Sequence, residues 1–196
     1  MDIQFNKGMV EYLSDGVKAI ETPMINNGYL YIINSAPGIG KSTLLQNLHM
    51  GLPEGFAILD GDDVGRVIPY QNNLTWLNLI QDNITDCCMN FRKSGFNRCV
   101  IGFVFPSEER LEHLRDLLAS KGFHVTHILL ECSEYEIERR ITQRNTSRVI
   151  NVEQAKTLSR QMKNLSADYR IDTTEIMPDQ VLTLVLEYIT GNKEIL

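Results

Sequence analysis

No apolar run in the chain approaches the roughly 18–20 residues of a membrane-spanning helix, so a spanning protein is not expected. The first sixteen residues lack the basic-then-apolar layout of a secretory leader. Cysteine is scarce: Cys87, Cys88, Cys99 and Cys132 show neither CxxC spacing nor a paired metal pattern. Cys99 and Cys132 stand in apolar runs and read as core thiols, and a reducing, cytoplasmic setting is the simplest one. There is no internal repeat and no low-complexity tract. At 43% hydrophobic and 22% charged residues, the composition excludes disordered, collagen-like and coiled-coil chains. A chain of 196 residues forms one domain and buries a sizeable core without disulfide or metal staples.

Positive charge is also short. Nineteen Lys and Arg face twenty-five Asp and Glu, a net of −6, which speaks against a protein that coats duplex nucleic acid. The average hides an asymmetry. Residues 139–170 hold eight basic side chains against Glu153 and Asp168, a local +6, so the rest of the chain carries −12. Such a segment requires either an anionic partner or a solvated, ion-paired face.

Strand and helix patterns alternate. Short β-branched and aromatic runs predict strands at 28–34, 56–60, 99–104, 125–130 and 169–171. Three-to-four spacing predicts helices at 5–20, 42–50, 73–94, from Ser107 onward, from Ser133 to about Arg144, and at 152–165 and 178–189. Ser107 is placed to cap its helix, with Glu108 and Glu109 suited to the positive end. The strands are solidly apolar, hence covered on both faces. The expected architecture is a three-layer αβα sandwich with a mainly parallel sheet, whose ligands lie beyond the carboxyl ends of the strands.

The sharpest signal is Ser35-Ala36-Pro37-Gly38-Ile39-Gly40-Lys41-Ser42-Thr43, between a predicted strand and a predicted helix. It matches the phosphate-loop pattern GxxxxGK[ST] except that Ser35 replaces the first glycine. Gly38 and Gly40 let the backbone curl so that its N–H groups converge on phosphate oxygens. Lys41 supplies a point charge for the β- and γ-phosphates, and the Ser42 hydroxyl suits Mg²⁺. Pro37, Gly38, Ile39, Gly40, Lys41, Ser42 and Thr43 are thus the expected ATP-binding set.

Together with LDGDD at the end of the next strand and the arginine-rich ERRITQRNTSR, this loop resembles the small P-loop kinases. The layout is most similar to the shikimate, gluconate and adenylyl-sulfate kinase group, over about residues 28–190. The resemblance implies a five-stranded parallel sheet of order 2-3-1-4-5, an arginine-bearing LID at about 145–152, and an acceptor region between strands two and three. It implies that Asp60 and Asp62 share two tasks, one carboxylate holding Mg²⁺ through water and the other orienting the acceptor hydroxyl. Arg140, Arg144 and Arg148 recur at four-residue spacing and would line one helix face; the resemblance assigns them to neutralising phosphate charge. Residues 173–178, with Thr174, lie where such kinases place the adenine loop. The competing reading of Asp62 or Asp63 is an acidic helix cap. For Arg139 an ion-paired, solvated face is preferred.

The chain also departs from the group. The third strand, CVIGFVF, lacks the acidic residue that ends this strand in many P-loop ATPases, which weakens a motor reading. The helix at 5–20, within an extension over 1–26, is additional; it would cover a sheet edge or mediate association as a homodimer. The LID is short, which argues against a large domain closure. Arg66, Tyr70, Arg92 and Phe105 are candidates for the acceptor pocket, whereas Trp76 and the methionines read as core. His49, His113, His124 and His127 are scattered and receive no catalytic role.

The expected activity is transfer of the γ-phosphoryl group of ATP, with Mg²⁺, to a small acceptor, most simply a hydroxyl. Two alternatives stay open: a non-catalytic nucleotide-binding switch on a kinase fold, and a kinase for a nucleic-acid end, against which the acidic remainder of the chain counts.

Overall fold

The structure, a computed structural model, describes residues 27–69, 73–143 and 150–191. The predicted helix at 5–20 lies outside them. The central strand β1 (Gly28–Asn34) shows how the layers arise. Leu30 and Ile32 enter one core, while Tyr31 and Ile33 enter the other. Alternation along a pleated strand sends successive side chains to opposite faces, so a run of apolar residues needs cover on both sides. Strands β2 (Phe56–Asp60), β3 (Arg98–Phe103), β4 (Phe123–Glu131) and β5 (Tyr169–Asp172) complete the sheet. The order is β2-β3-β1-β4-β5, and every pairing is parallel.

Helices α2 (Leu74–Lys93) and α3 (Glu108–Ser120) cover one face. Leu111, Leu114 and Leu118 of α3, spaced by three and four, are fully buried there. Each such leucine contributes roughly 1.5–3 kcal/mol. The other face is covered by α1 (Lys41–Asn47), α4 (Glu134–Thr142), α5 (Val152–Met162) and α6 (Pro178–Gly191). Asn73, Ser133 and Asn151 cap α2, α4 and α5 by accepting from the backbone N–H three residues on.

Some expectations are corrected. Ser107 occupies the N-cap position of α3, but its hydroxyl makes no capping bond. Glu108 turns away to accept from the Ser166 N–H at 2.8 Å. Helix α5 ends at Met162 rather than 165, because the chain tightens there into a turn from Leu165 N–H to the Met162 carbonyl. Met50 and Met177 are 63% and 64% exposed, so they are not core residues. Cys88, Cys99 and Cys132 are buried free thiols, while Cys87 is half-buried. Among the described residues, no helix is long and apolar enough to cross a membrane.

A parallel sheet gathers its carboxyl ends on one edge. The loop after β1, Asp60 at the end of β2, Phe105 beyond β3, Ser133 beyond β4 and Thr173 beyond β5 all lie along it.

Candidate active site

The loop of residues 35–40 joins β1 to α1. Gly38 and Gly40 have φ of +88° and +120°, conformations L side chains rarely adopt. A Cβ on Gly38 would also fall 2.6 Å from Ile141 Cγ1 of α4. Gly40 is the N-cap residue of α1 and no side chain caps that end, so its first-turn N–H groups carry the positive end of the helix dipole without a protein acceptor from a cap.

Asp60 ties this loop to β2. Lys41 Nζ lies 3.5 Å from Asp60 Oδ1, and the lysine side chain is only 7% exposed. Ser42 Oγ donates to Asp60 Oδ2 at 3.3 Å. Asp60 Oδ1 also accepts from the Asp62 N–H at 3.1 Å, capping the short 3-10 turn at Gly61–Asp63. The cap is therefore Asp60, not Asp62 or Asp63. In register, Asp60 pairs with Gly102 of β3. A Cβ at Gly102 would lie 2.4 Å from Leu45 Cδ1 and 3.2 Å from Lys41 Cδ, so the glycine leaves room for α1 and the lysine stem. At this point of the sheet the carboxylate comes from β2, and β3 supplies space.

Two polar clamps brace the loop. Asn34, fully buried, donates from Nδ2 to the Phe105 carbonyl (3.0 Å) and accepts from the Phe105 N–H (2.9 Å). This pair extends the β1–β3 ladder by a side chain. Arg140 of α4 donates from Nη1 to the Ile39 carbonyl (2.9 Å) and Thr173 Oγ1 (3.0 Å), from Nη2 to the Thr173 carbonyl, and from Nε to Glu136 Oε1 (2.7 Å). Glu136 accepts from Arg139 as well, and these bonds, Arg139 first, hold its carboxyl near pKa 2. Arg140 is thus consumed in fastening α4 and the end of β5 to the loop.

A cavity of about 510 Å³ opens over the loop, lined by Gly38, Ile39, Gly40, Thr43, Asn47, Arg139, Arg140 and the stretch from Thr174 to Pro178. A second cavity has a volume of about 230 Å³. It is bounded by Asp62, by Trp76 and Gln81 of α2, by the chain from Phe103 to Pro106, and by Leu158 of α5. Among the described residues, no group of three His, Cys, Asp or Glu gathers as a metal site. Mg²⁺ keeps most of its water and needs only one or two protein oxygens beside substrate phosphates. Ser42 Oγ and the Asp60 carboxylate, both hard oxygen donors beside the loop, fit that requirement.

The remaining expected residues divide. Thr174 lines the larger cavity, where its hydroxyl accepts from the Ser133 N–H and donates to Asp172. Phe105 is 2% exposed and walls the smaller one. Trp76 is half-buried and forms part of that wall rather than core alone, with its Nε1 donating to the Gly65 carbonyl at 2.7 Å. Pro37 shapes the turn of the loop. Arg66 is highly exposed, pairs with Asp63 at 2.5 Å, and lines neither cavity.

Arg92 is a correction. It sits at the far end of α2, sixteen residues and roughly 24 Å from Trp76. Its guanidinium lies 4.7 Å over the Phe123 ring, at the amino edge of the sheet, so it has no place in an acceptor pocket. Tyr70, Arg144 and Arg148 lie outside the described residues.

The cationic segment is largely matched by acidic neighbours. Arg139 and Arg140 pair with Glu136, Lys156 with Glu138 and Glu153, Arg160 with Glu134, and Arg170 with Glu131. Sequence reasoning missed Asn34, Gln81 and Glu136. Gln81 had a usable signal: it stands in the apolar stripe Leu77, Ile80, Ile84, Cys88, where a polar residue must find a partner.

A family model described as an AAA domain matches residues 30–167. A comparison with curated proteins finds no match. Among solved structures, the tunicamycin resistance protein of Deinococcus radiodurans aligns with a TM-score of 0.63 at 17% identity, covering 83% of this chain and 96% of that one. The Mycobacterium tuberculosis APS kinase, solved with AMPPNP and APS, aligns at 0.62 and 15% identity, covering 83% and 98%. A gluconokinase from Sinorhizobium meliloti aligns at 0.57 and 15% identity, covering 86% and 97%. Sheet order, loop geometry and these matches agree: the chain belongs to the AAA domain family, with the fold of the small P-loop kinases.

Proposed function

We propose that this protein is an ATP-dependent phosphotransferase that moves the γ-phosphoryl group to a hydroxyl of a small acceptor. The observation that carries the reading is the Asp60 carboxylate, which contacts Lys41, Ser42 and the Asp62 N–H and so links a loop that lines the larger cavity to Asp62, which lines the smaller. The larger cavity suits a nucleotide, its base beside Ile176 to Pro178 and its phosphates over Gly38, Ile39 and Gly40. Lys41 neutralises β- and γ-phosphate charge, and Ser42 with Asp60 would hold Mg²⁺. The metal, when bound, would supply neutralisation of the charge that develops on the phosphates. Asp62 orients the acceptor hydroxyl from the smaller cavity. The hydroxyl oxygen attacks the γ-phosphorus, the bond from that phosphorus to the β,γ-bridging oxygen breaks, ADP leaves, and the hydroxyl proton passes to the Asp62 carboxylate. Two of the structural relatives are kinases by name, and one was solved with a nucleotide analogue, which supports this assignment.

Lys41→Ala is expected to lower ADP release by roughly 10²–10³-fold, the usual cost of a charge-stabilising group in a dry site. Coupled ADP detection across an acceptor panel, with ATP–Mg²⁺ calorimetry alongside, tests this. Wild-type turnover in Lys41→Ala would refute the site. Tight ATP binding without turnover on any acceptor would favour a nucleotide-binding switch.

A further inference from the structure

The amino edge of the sheet, opposite the phosphate loop, carries a concentration of positive charge. The stretches that lead into β3 and β4, residues 92–98 and 121–124, contain Arg92, Lys93, Arg98 and Lys121 and no acidic residue, on a chain whose net charge is −6. Lys93 ends α2 and Lys121 is the C-cap residue of α3. Each of those helix ends offers roughly half a negative charge, which balances only part of four cations. Lys93 and Lys121 are exposed, and neither forms an ion pair among the described residues. There the Arg92 guanidinium meets the Gly122 carbonyl, the Met89 sulfur and the Phe123 ring, but no carboxylate. Across the molecule, by contrast, Arg139, Arg140, Lys156, Arg160 and Arg170 all have acidic partners.

Aromatic faces stand among these cations. Arg98 lies 5.5 Å over the Phe56 ring, and Tyr29 stacks on His124 at 5.5 Å. Phe96, on the turn between α2 and β3, is 41% exposed. A surface of this kind matches a partner that is acidic and amphipathic.

The chain itself brings such a partner to the place. The Gly28 N–H donates to the Gly122 carbonyl and the Tyr29 N–H to the Asn97 carbonyl, both at 2.9 Å. Asn27 Nδ2 lies 3.1 Å from His124 Nε2. Residues 1–26, outside the described residues, therefore join the fold between the two cationic turns. They hold Asp2, Glu11, Asp15 and Glu21 against Lys7 and Lys18, a side-chain net of −2. Phe5, Met9, Leu13, Val17 and Ile20 follow one another at intervals of three or four, the spacing that predicts the helix at 5–20. Sixteen helical residues extend about 24 Å. From β2 across β3 and β1 to β4 the edge spans three strand spacings, about 14 Å. Residues 21–26 reach at most about 20 Å when extended, enough to lay the helix back over that edge.

We propose that residues 5–20 dock on their own chain, as an amphipathic helix across the amino edge of the sheet. Its apolar side covers Tyr29, Phe56 and Phe96, and its carboxylates face Arg92, Lys93 and Lys121. The contact is independent of the phosphotransferase reading, because the length of β1, about 20 Å, separates this edge from the phosphate loop.

Zero-length carbodiimide coupling tests the docking, since it joins a lysine amine to a carboxylate only where the two touch. The whole chain is cross-linked, separated on a denaturing gel and digested for mass spectrometry. The monomer band is expected to contain Lys93 or Lys121 joined to Glu11, Asp15 or Glu21. Met9→Asn combined with Leu13→Asn keeps every lysine and carboxylate but removes the apolar side, and should lower the yield of these links at least fivefold. The same links confined to a dimer band would place the segment on a second copy and overturn the proposal. It is equally overturned if the segment's carboxylates join only Lys41, Lys156 or Lys163, if they join neither Lys93 nor Lys121, or if the double variant cross-links as well as the wild type.

Discussion

Replacing Arg140 by alanine distinguishes a clamp from a phosphate ligand. The guanidinium donates to the Ile39 carbonyl, to the hydroxyl and carbonyl of Thr173, and to Glu136. Hydrogen bonds involving a charged partner contribute roughly 1.5–3 kcal/mol each, but bonds made by one group do not add. Arg140 is 23% exposed, so water replaces part of what is lost. The expected cost is about 2–4 kcal/mol, which for a domain of this size lowers the melting temperature by roughly 5–15 °C. Urea unfolding measures the stability, and ATP calorimetry the affinity. Affinity should fall too, since Ile39 lies within the loop between Gly38 and Gly40. The informative companion is Arg140→Lys. It keeps a point charge, enough for a phosphate, yet an ammonium cannot reach two carbonyls and a carboxylate in the planar fork that arginine spans. A clamp predicts that lysine fails to restore stability. Wild-type stability in Arg140→Ala, or full rescue of both stability and affinity by lysine, would refute the reasoning.

Three further outcomes follow from the same structure. The Glu136 carboxyl is held near 2 against an ordinary 4.5, so its contribution is fully present above about 4.5 and is lost as pH falls toward 2; Glu136→Gln should flatten that part of the acid-unfolding curve. Burial pushes the His127 pKa down, with Arg115 adding to the effect and the Ser166 carbonyl, Asp168 and Glu108 opposing it. Its stabilising effect is therefore complete above the ordinary 6.5 and declines as pH falls below it, a slope that urea midpoints between pH 7 and 5 should record and His127→Gln should reduce. Gly102→Ala would press a methyl into Leu45 and the Lys41 stem, and should cost roughly 1–3 kcal/mol while weakening ATP binding in calorimetry; unchanged affinity would mean that α1 does not depend on this close approach.

Most of the architecture was legible before any coordinates. Every strand predicted within the described residues is present, because solid apolar runs punctuated by glycine, proline and capping residues are a local signal. The glycine-rich turn was equally legible, since its residues are contiguous and each is needed for its own backbone or charge. The sheet order came from resemblance, not from spacing, and the structure bears it out. Three arginines stand in surroundings that the sequence did not show. Arg92 was placed by its position on the predicted helix of the acceptor region, but a helix of twenty residues carries its far end to the opposite edge of the sheet, while Arg66, which follows the acidic motif, pairs with Asp63. Arg140 was judged by its charge, while its role depends on two carbonyls that only folding brings within reach.

The chain alone thus determined the elements, the layering and the phosphate-binding turn, all of which depend on interactions within a few residues or on the period of apolar side chains. Tertiary structure decided which partner each polar group meets: Asp60 with Lys41 and Ser42, Asn34 with Phe105, Arg140 with Ile39 and Thr173, and Gln81 with the Arg110 carbonyl but with no partner for its own oxygen. Those pairings span 18 to 101 residues of chain, where neither spacing nor propensity carries information and only packing brings the groups together.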